Sequence, residues 1–204
     1  MPRADATRNR DEVIKAAAAE LSEHGLDVSI ARIAARAGVA KGTVYNHLPS
    51  KEDLVAANFS DQLHTLAAQG EALLDHEDPR EALSEFMTRA AELQASDRSF
   101  CEAATSRTHP AVRAAADRLT ETAEALTARA RQAKAIRADI TGHDIVLLLN
   151  APINIATPVA TARPDLWRRY LHLILDALRP DAAHDLPVAA PTNQDFTTAA
   201  GGML

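Results

Sequence analysis

The sequence predicts an all-α protein with a small N-terminal helical head and a larger C-terminal helical body. Three observations carry this. Of 204 residues, 47% are hydrophobic but only 3% aromatic, and Ala dominates with only 7 Gly, which suits helices packed closely through small side chains. Apolar residues recur at helical spacing along most of the chain, and no segment alternates as a half-buried strand would. One stretch, Ser29 to Lys51 (SIARIAARAGVAKGTVYNHLPSK), has the helix–glycine–helix order of a helix-turn-helix. The boundaries read as a head over 1–51, a helical body over 52–179 and a tail over 180–204. The tail is rich in Pro, Ala, Thr, Asn and Gly and is expected to be disordered.

The first helix is expected from about Asn9 to His24. Asn9 and Glu12 suit a capping box, and Val13, Ile14, Ala17 and Leu21 form its buried stripe. Gly25 ends it, with Leu26 folding back over the end. Ser29 suits the N-cap of a second, short helix whose inner face is Ile30, Ile33, Ala34 and Ala37. Gly38 stands where a helix end needs positive φ. Ala34 is small enough for a close crossing, and Val39 fills the corner. Ala40 to Leu48 make the third helix with Val44 inward, and Pro49-Ser50 breaks it. Outward stand Lys41, Gly42, Thr43, Tyr45, Asn46 and His47: a cation, hydroxyls, an amide and an imidazole, with almost no bulk at the start. Thr43, Tyr45 and Lys51 suit phosphates, and Lys41 and Asn46 suit base edges. Ser50 with Asp53 is a capping box for a fourth helix reaching about Asp75. Its apolar positions are Leu54, Phe59, Leu63, Leu66, Leu73 and Leu74.

The run AGVAKGTVYNHLPSKEDL is more specific than a bare helix pair. It resembles the DNA-binding segment of TetR-type (tetracycline-repressor-like) transcriptional regulators, whose usual G-V-x-x-G-T-x-Y-x-x-F-P-S-K-E-x-L is nearly intact. The resemblance covers only the N-terminal part of the chain. It implies an N-terminal three-helix helix-turn-helix DNA-binding domain plus a C-terminal helical ligand-binding and dimerisation domain. It also implies a fourth helix that swings when ligand binds, and it makes Ser29, Lys41, Gly42, Thr43, Tyr45, Asn46, His47 and Lys51 the DNA-contact set. Two positions depart from the pattern. Leu48 replaces the usual aromatic and can still pack on the head's core. Ala40 replaces the frequent Ser before Lys41, removing a capping hydroxyl that is typically worth about 1 kcal/mol. Residues 1–8 read as a short arm carrying Arg3 and Arg8, which fits either a phosphate contact or a solvated tail.

Charge divides along the same boundary. The chain carries 22 Lys/Arg and 28 Asp/Glu, net −6. Residues 1–51 hold eight of those bases and six of the acids, net +2, leaving 14 and 22, net −8, for the remainder. A mildly basic head on an acidic body is the distribution of a DNA-binding domain joined to a partner domain that does not bind DNA.

In the body, His76 to Asp78 is a polar break, and Pro79 opens a helix to about Gln94 with Leu83, Phe86, Met87, Ala90 and Leu93 inward. After a second break comes a short segment with Phe100 and Cys101. Thr108-His109-Pro110 opens a long helix to about Lys134. Arg129, Arg131 and Lys134 at its end suit the helix dipole and read as a solvated terminus. Thr141 and Asp144 cap a helix over HDIVLLLNAPINIA, and Pro164-Asp165 opens the last, RPDLWRRYLHLILDALR. That helix is apolar on two faces and needs a second surface to cover it. The expected dimer interface is Leu148, Trp167, Tyr170, Leu171, Ile174 and Leu178, and the family resemblance implies the same four-helix seam. Two recognition helices related by a two-fold axis would then read a pseudo-palindromic operator.

The resemblance further implies a small-molecule pocket in the body. Phe86, Met87, Phe100 and Cys101 are the larger, softer side chains of an Ala-rich region. Asn150 and Asn154 lie one helical turn apart on an apolar helix, with Pro152 between them freeing a carbonyl near Leu148. Together they suggest a mostly apolar cavity with few polar anchors. The same Asn pair also suits hydrogen bonding across a dimer seam, and Phe86 and Met87 suit ordinary core.

Other classes fare poorly. No nucleophile elbow, P-loop, dinucleotide fingerprint or zinc-type Cys/His cluster is present, so no enzyme, cofactor or metal is expected. Cys101 and His109 lack a third catalytic group, and Cys101 reads as a structural thiol. A single cysteine excludes an intrachain disulfide framework. The charged N-terminus has no apolar signal region behind it, and the longest apolar run, Ile145 to Leu149, is too short to span a bilayer. A cytoplasmic protein is expected, with an operator duplex, a second copy of itself and a small effector as partners. The reading from a different class is a helical small-molecule carrier or interaction protein whose head does not bind DNA; a salt-dependent shift of a promoter fragment separates the two.

Overall fold

The computed structural model describes residues 2–24, 28–47, 50–96, 109–192 and 194–195, and only the backbone of residues 2–11, Ser22, His47, Lys51 and Ala182. The elements in chain order are α1 (Pro2–His24), α2 (Ile30–Ala37), α3 (Lys41–His47), α4 (Lys51–Ala72), α5 (Pro79–Ser96), α6 (Pro110–Gln132), α7 (Gly142–Leu148), α8 (Ala151–Ala156) and α9 (Trp167–Ala177), with 3-10 turns at Leu73–Asp75, Thr157–Val159 and Pro180–Ala182. No strand occurs among the described residues. The all-α class is as the composition and spacing predict.

The chain divides into two compact units. One comprises Met1–Leu63 with Ser96–Ala115, the other His64–Ala95 with Ala116–Leu204. The first unit therefore extends beyond Lys51, where the change in sequence character places the head's end.

In the first unit α1 packs on α2 and α3, and α2 packs on α3. Val13, Ala17, Leu21, Ile33, Ala34, Val44 and Leu54 form its core, and all are buried. Full burial of a side chain of the Val or Ile class contributes about 1.5–3 kcal/mol. A three-helix head thus depends on a handful of residues. Helix α1 begins at Pro2, not near Asn9. The arm expected over residues 1–8 is helical from its second residue. Ala, Arg and Asp in this stretch do not oppose helix, and proline is tolerated in a first turn. The Gly25-Leu26 stop and Leu48 lie outside the described residues.

Helix α4 opens on the expected capping box. Ser50 Oγ accepts from the Asp53 N–H (3.0 Å), and Asp53 Oδ2 accepts from the Ser50 N–H (3.1 Å) and hydroxyl (2.7 Å). Asp78 does similar work before Pro79, its Oδ1 accepting from the N–H groups of Arg80 (2.7 Å) and Glu81 (3.2 Å). In the second unit Leu83, Phe86, Met87, Ala90 and Ala91 of α5 and Leu119, Ala123, Leu126, Thr127 and Ala130 of α6 are buried. Arg118 grips Glu71 through two bonds of 2.8 and 2.7 Å, tying α6 to α4 within this unit. Arg129 donates to the carbonyls of Leu73 and His76, closing the turn after α4. Arg131 pairs with Glu124 at 2.7 Å, and Glu124 also accepts from the Gly142 N–H at 2.5 Å. The basic end of α6 is thus partly engaged inside its own unit.

Two expectations for the C-terminal helices change. The segment after Thr141 is not one helix: the capping box forms as predicted, but α7 stops at Leu148 and α8 starts at Ala151. Pro152 has no N–H for Leu148, which is why the ladder fails there. The last helix begins at Trp167, after a run of turns over 160–166. Beyond it, Arg137 donates to the His184 carbonyl at 2.6 Å. Residues 196–204 lie outside the description.

Candidate nucleic-acid interface

The recognition motif is built by caps and one left-handed residue. Ser29 Oγ accepts from the Arg32 N–H at 3.4 Å and starts α2. Gly38 ends it at φ 68°, with its N–H on Ala35 and the Val39 N–H on Ala34 (3.0 Å). A side chain at that φ is strained, so the turn requires glycine. Helix α3 then starts without a side-chain cap, because Ala40 offers only its carbonyl to Thr43 (2.9 Å) and Val44 (3.4 Å).

Val44 is fully buried and sets the rotation of α3. Lys41, Gly42, Tyr45 and Asn46 are exposed on the opposite side, Thr43 is half-buried, and Ser29 is exposed at the start of α2. Lys41 has no acidic partner among the described residues. The side chains of His47 and Lys51 lie outside the description. Gly42 differs from Gly38: its φ is ordinary, and a methyl group placed on it meets nothing within 4 Å. Nothing among the described residues explains its small size.

A charge cluster that the sequence reading missed sits between α1 and α2. Glu20, buried on α1, accepts from Arg32 Nε (2.9 Å) and Arg36 Nη1 (3.1 Å), and Arg36 Nη2 reaches Glu23 at 2.8 Å. His24 lies 2.9 Å from Arg32 Nη2. Burial pushes the Glu20 carboxyl up, but its bonds to Arg32 and Arg36 outweigh this and hold it below its ordinary range. The signal was a carboxylate one residue before Leu21 on the apolar stripe, with two arginines spaced i, i+4 on α2. Arg32 and Arg36 are therefore engaged in holding α2 on α1 against two of the head's own acids, Glu20 and Glu23, so the pairing leaves the head's net +2 unchanged.

His109 is also engaged. Its Nδ1 accepts from the Ala111 N–H (3.3 Å) at the start of α6, and its Nε2 lies 3.4 Å from Asp53 Oδ1. The Ser50 hydroxyl first, and His109 after it, hold the Asp53 carboxyl below its ordinary range.

The expected effector residues lie in different surroundings. Phe86 and Met87 are buried on one face of α5. Phe100 and Cys101 lie outside the described residues. Asn150 is half-buried and Asn154 is exposed, so the structure does not bring that pair together on an interior wall. Two buried polar groups were missed in the same unit. Gln94 donates to the Leu149 carbonyl at 3.0 Å. His64 Nδ1 is buried without a partner among the described residues.

The expected interface residues divide as well. Trp167, Leu171 and Leu178 are buried inside the protomer's own second unit, and Leu148, Tyr170 and Ile174 are half-buried. Between the start of α7 and the end of α9 the large apolar side chains that stand out are Leu147 (52% exposed), Ile155 (51%), Val159 (45%) and Leu173 (52%), and beyond α9 Leu186 and Val188 stand out too. The sequence shows two apolar faces on α9 but not which one the protomer uses. Trp167 is also faced by the Arg168 guanidinium, 4.4 Å from its ring centroid, and Arg168 reaches Glu92 on α5 at 3.2 Å. No described helix is long and apolar enough to cross a membrane.

Comparison with known proteins bears on these surfaces. Residues 13–57 match the profile of bacterial regulatory proteins of the tetR family, and residues 78–180 match the C-terminal domain of SbtR-like transcriptional regulators. Among solved structures, a TetR transcription regulatory protein from Mycobacterium vanbaalenii aligns at 32% identity and TM-score 0.66, covering 88% of this chain and 99% of that one. A TetR transcriptional regulator from Streptomyces coelicolor aligns at 30% identity and TM-score 0.62, covering 84% and 98%. FadR from Bacillus subtilis, solved with stearoyl-CoA, shares the fold at 17% identity and TM-score 0.64, covering 85% and 98%. A search of curated proteins finds no match by sequence.

Proposed function

Since the chain belongs to the tetR family of bacterial regulatory proteins and is a DNA-binding transcription factor and not an enzyme, we propose that it is a ligand-responsive repressor. It binds a pseudo-palindromic operator as a homodimer and is released by a small, largely apolar effector. The observation that carries the DNA reading is the outward side of α3. Lys41, Tyr45 and Asn46 are exposed there, and no described residue accounts for the small size of Gly42. A groove wall supplies the reason. Thr43, Tyr45 and Lys51 are assigned to phosphates, Lys41 and Asn46 to base edges, and Ser29, Gly42 and His47 to the rim of the contact.

The homodimer reading is supported by the exposed apolar set on α7 to α9. Leu147, Ile155, Val159 and Leu173, with half-buried Leu148, Tyr170 and Ile174, form its surface, and Asn154 joins it as a polar member. Exposed apolar side chains on consecutive elements suit an interaction surface. The effector reading is supported by the buried apolar pair Phe86 and Met87 and by the His64 nitrogen, buried without a partner among the described residues of the same unit. Release of DNA by effector is a coupling between two sites and is reciprocal.

Selection of bound duplexes from a random pool tests the reading. Two inverted half-sites at fixed spacing are expected. Enrichment of a single asymmetric site, or of none, contradicts it.

A further inference from the structure

Gln94 is out of place by composition. It is 6% exposed, on the face of α5 that carries Leu83, Phe86, Met87 and Ala90. A buried amide in such surroundings needs a partner. Its partner is 55 residues away, the carbonyl of Leu149, reached by Nε2 at 3.0 Å.

Leu149 lies where α7 has stopped and α8 has not begun. The Leu149 N–H still closes a helical turn onto Ile145 (2.9 Å). Asn150 falls back to a shorter-range bond with Leu147 (3.4 Å), and the regular ladder resumes with Asn154 on Asn150 (3.1 Å). Pro152 cannot donate to Leu148. In an uninterrupted helix the Leu149 carbonyl would accept from Ile153; here a side chain of another helix serves it.

The interruption sets how α8 leaves α7. Leu147 stands on α7 and Ile155 on α8, and each is about half exposed. We propose that Gln94 is a positioning residue: by holding the Leu149 carbonyl it fixes the bend between α7 and α8, and so aligns the apolar surface on which a second copy of this chain docks. The inference rests on the homodimer reading above.

Sedimentation equilibrium of the full chain tests it. Gln94→Met keeps the length and deletes the donor, and it is expected to raise the dimer dissociation constant about tenfold. Pro152→Ala restores the missing N–H, lets the helix run through, and is expected to weaken the dimer as the bend is lost. In that background Ile153 serves Leu149 and Gln94 becomes dispensable. Gln94→Met should therefore lower the thermal midpoint of the natural chain and leave that of Pro152→Ala unchanged. If Gln94→Met alone fails to fold, recovery of cooperative unfolding on adding Pro152→Ala supports the same assignment. An unchanged dimer constant in either single variant, an equal loss of midpoint in both backgrounds, or a double variant no better folded than Gln94→Met overturns it while the dimer stands. A natural chain that sediments as a monomer throughout overturns the homodimer reading itself, and this assignment with it.

Discussion

Helices α3 and α9 each turn one side inward and one outward, and their outward sides are opposites. On α3, Val44 is buried and the free side offers Lys41, Gly42, Tyr45 and Asn46, polar groups around a gap. On α9, Trp167 and Leu171 are buried, as is Leu178 just past its end, and the free side offers Leu173, flanked by half-buried Tyr170 and Ile174. Folding of the single chain explains the inner side of both helices and the outer side of neither. The chemistry of what is left over distinguishes the two expected partners: donors and a small residue for a charged, grooved surface, branched aliphatic chains for another apolar one.

The largest effect that would break this comparison lies on α9. Leu173 is half exposed in the single chain, so Leu173→Asp should leave folding nearly intact. In a two-fold seam it places an unpaired charge in each copy, and the dimer dissociation constant should rise about a thousandfold. Size-exclusion chromatography with light scattering reads this, and an unaltered dimer would mean that the outward face of α9 is not the seam.

Next comes the inner side of α3. Val44→Ala should cost about 2–3 kcal/mol in the first unit, measured by denaturant unfolding, whereas Tyr45→Ala on the outer side should fall within about 0.5 kcal/mol of the natural chain. Similar losses for both would erase the distinction between the faces.

A smaller effect concerns acid. The Glu20 carboxyl is held below its ordinary value by Arg32 and Arg36. Such a group contributes fully above the ordinary carboxylate pKa of about 4.3, and its contribution disappears as the pH falls through the lowered value. Glu20→Gln should therefore destabilise the first unit at neutral pH, and the gap to the natural chain should narrow in acid. A gap independent of pH would mean that the cluster holds α2 by packing alone.

The smallest expected change is in salt dependence. If Lys41 meets a base edge and not a phosphate, Lys41→Ala should relax sequence preference while leaving the slope of log affinity against log salt nearly the same. A phosphate role would instead lower that slope by about 1. Titration of one operator and one mismatched duplex at several salt concentrations distinguishes these.

Local rules made much of the molecule legible. Ser29, Gly38 and the Ser50–Asp53 and Thr141–Asp144 pairs mark ends that the structure places where spacing put them, because caps act within a few residues. What failed was non-local or degenerate. Glu20 gave a hint on α1, but its arginines lie on the next helix. Pro152 predicted a lost bond but not that Gln94 would serve the carbonyl beside it. On α9 two apolar faces compete, and only packing against the rest of its unit decides that Trp167 and Leu171 go inward. Asn9 is a good cap by type, yet α1 begins at Pro2 because nothing before Asn9 opposes helix.

The central claim is that the outer side of α3 reads DNA. Fluorescence anisotropy of Thr43→Ala/Tyr45→Ala, with a selected operator and a shuffled duplex of equal length, tests it most directly. The account predicts that preference for the operator collapses by about a hundredfold, with weak salt-dependent binding to both duplexes left behind and the thermal midpoint little altered. Full operator preference in the double variant would contradict it.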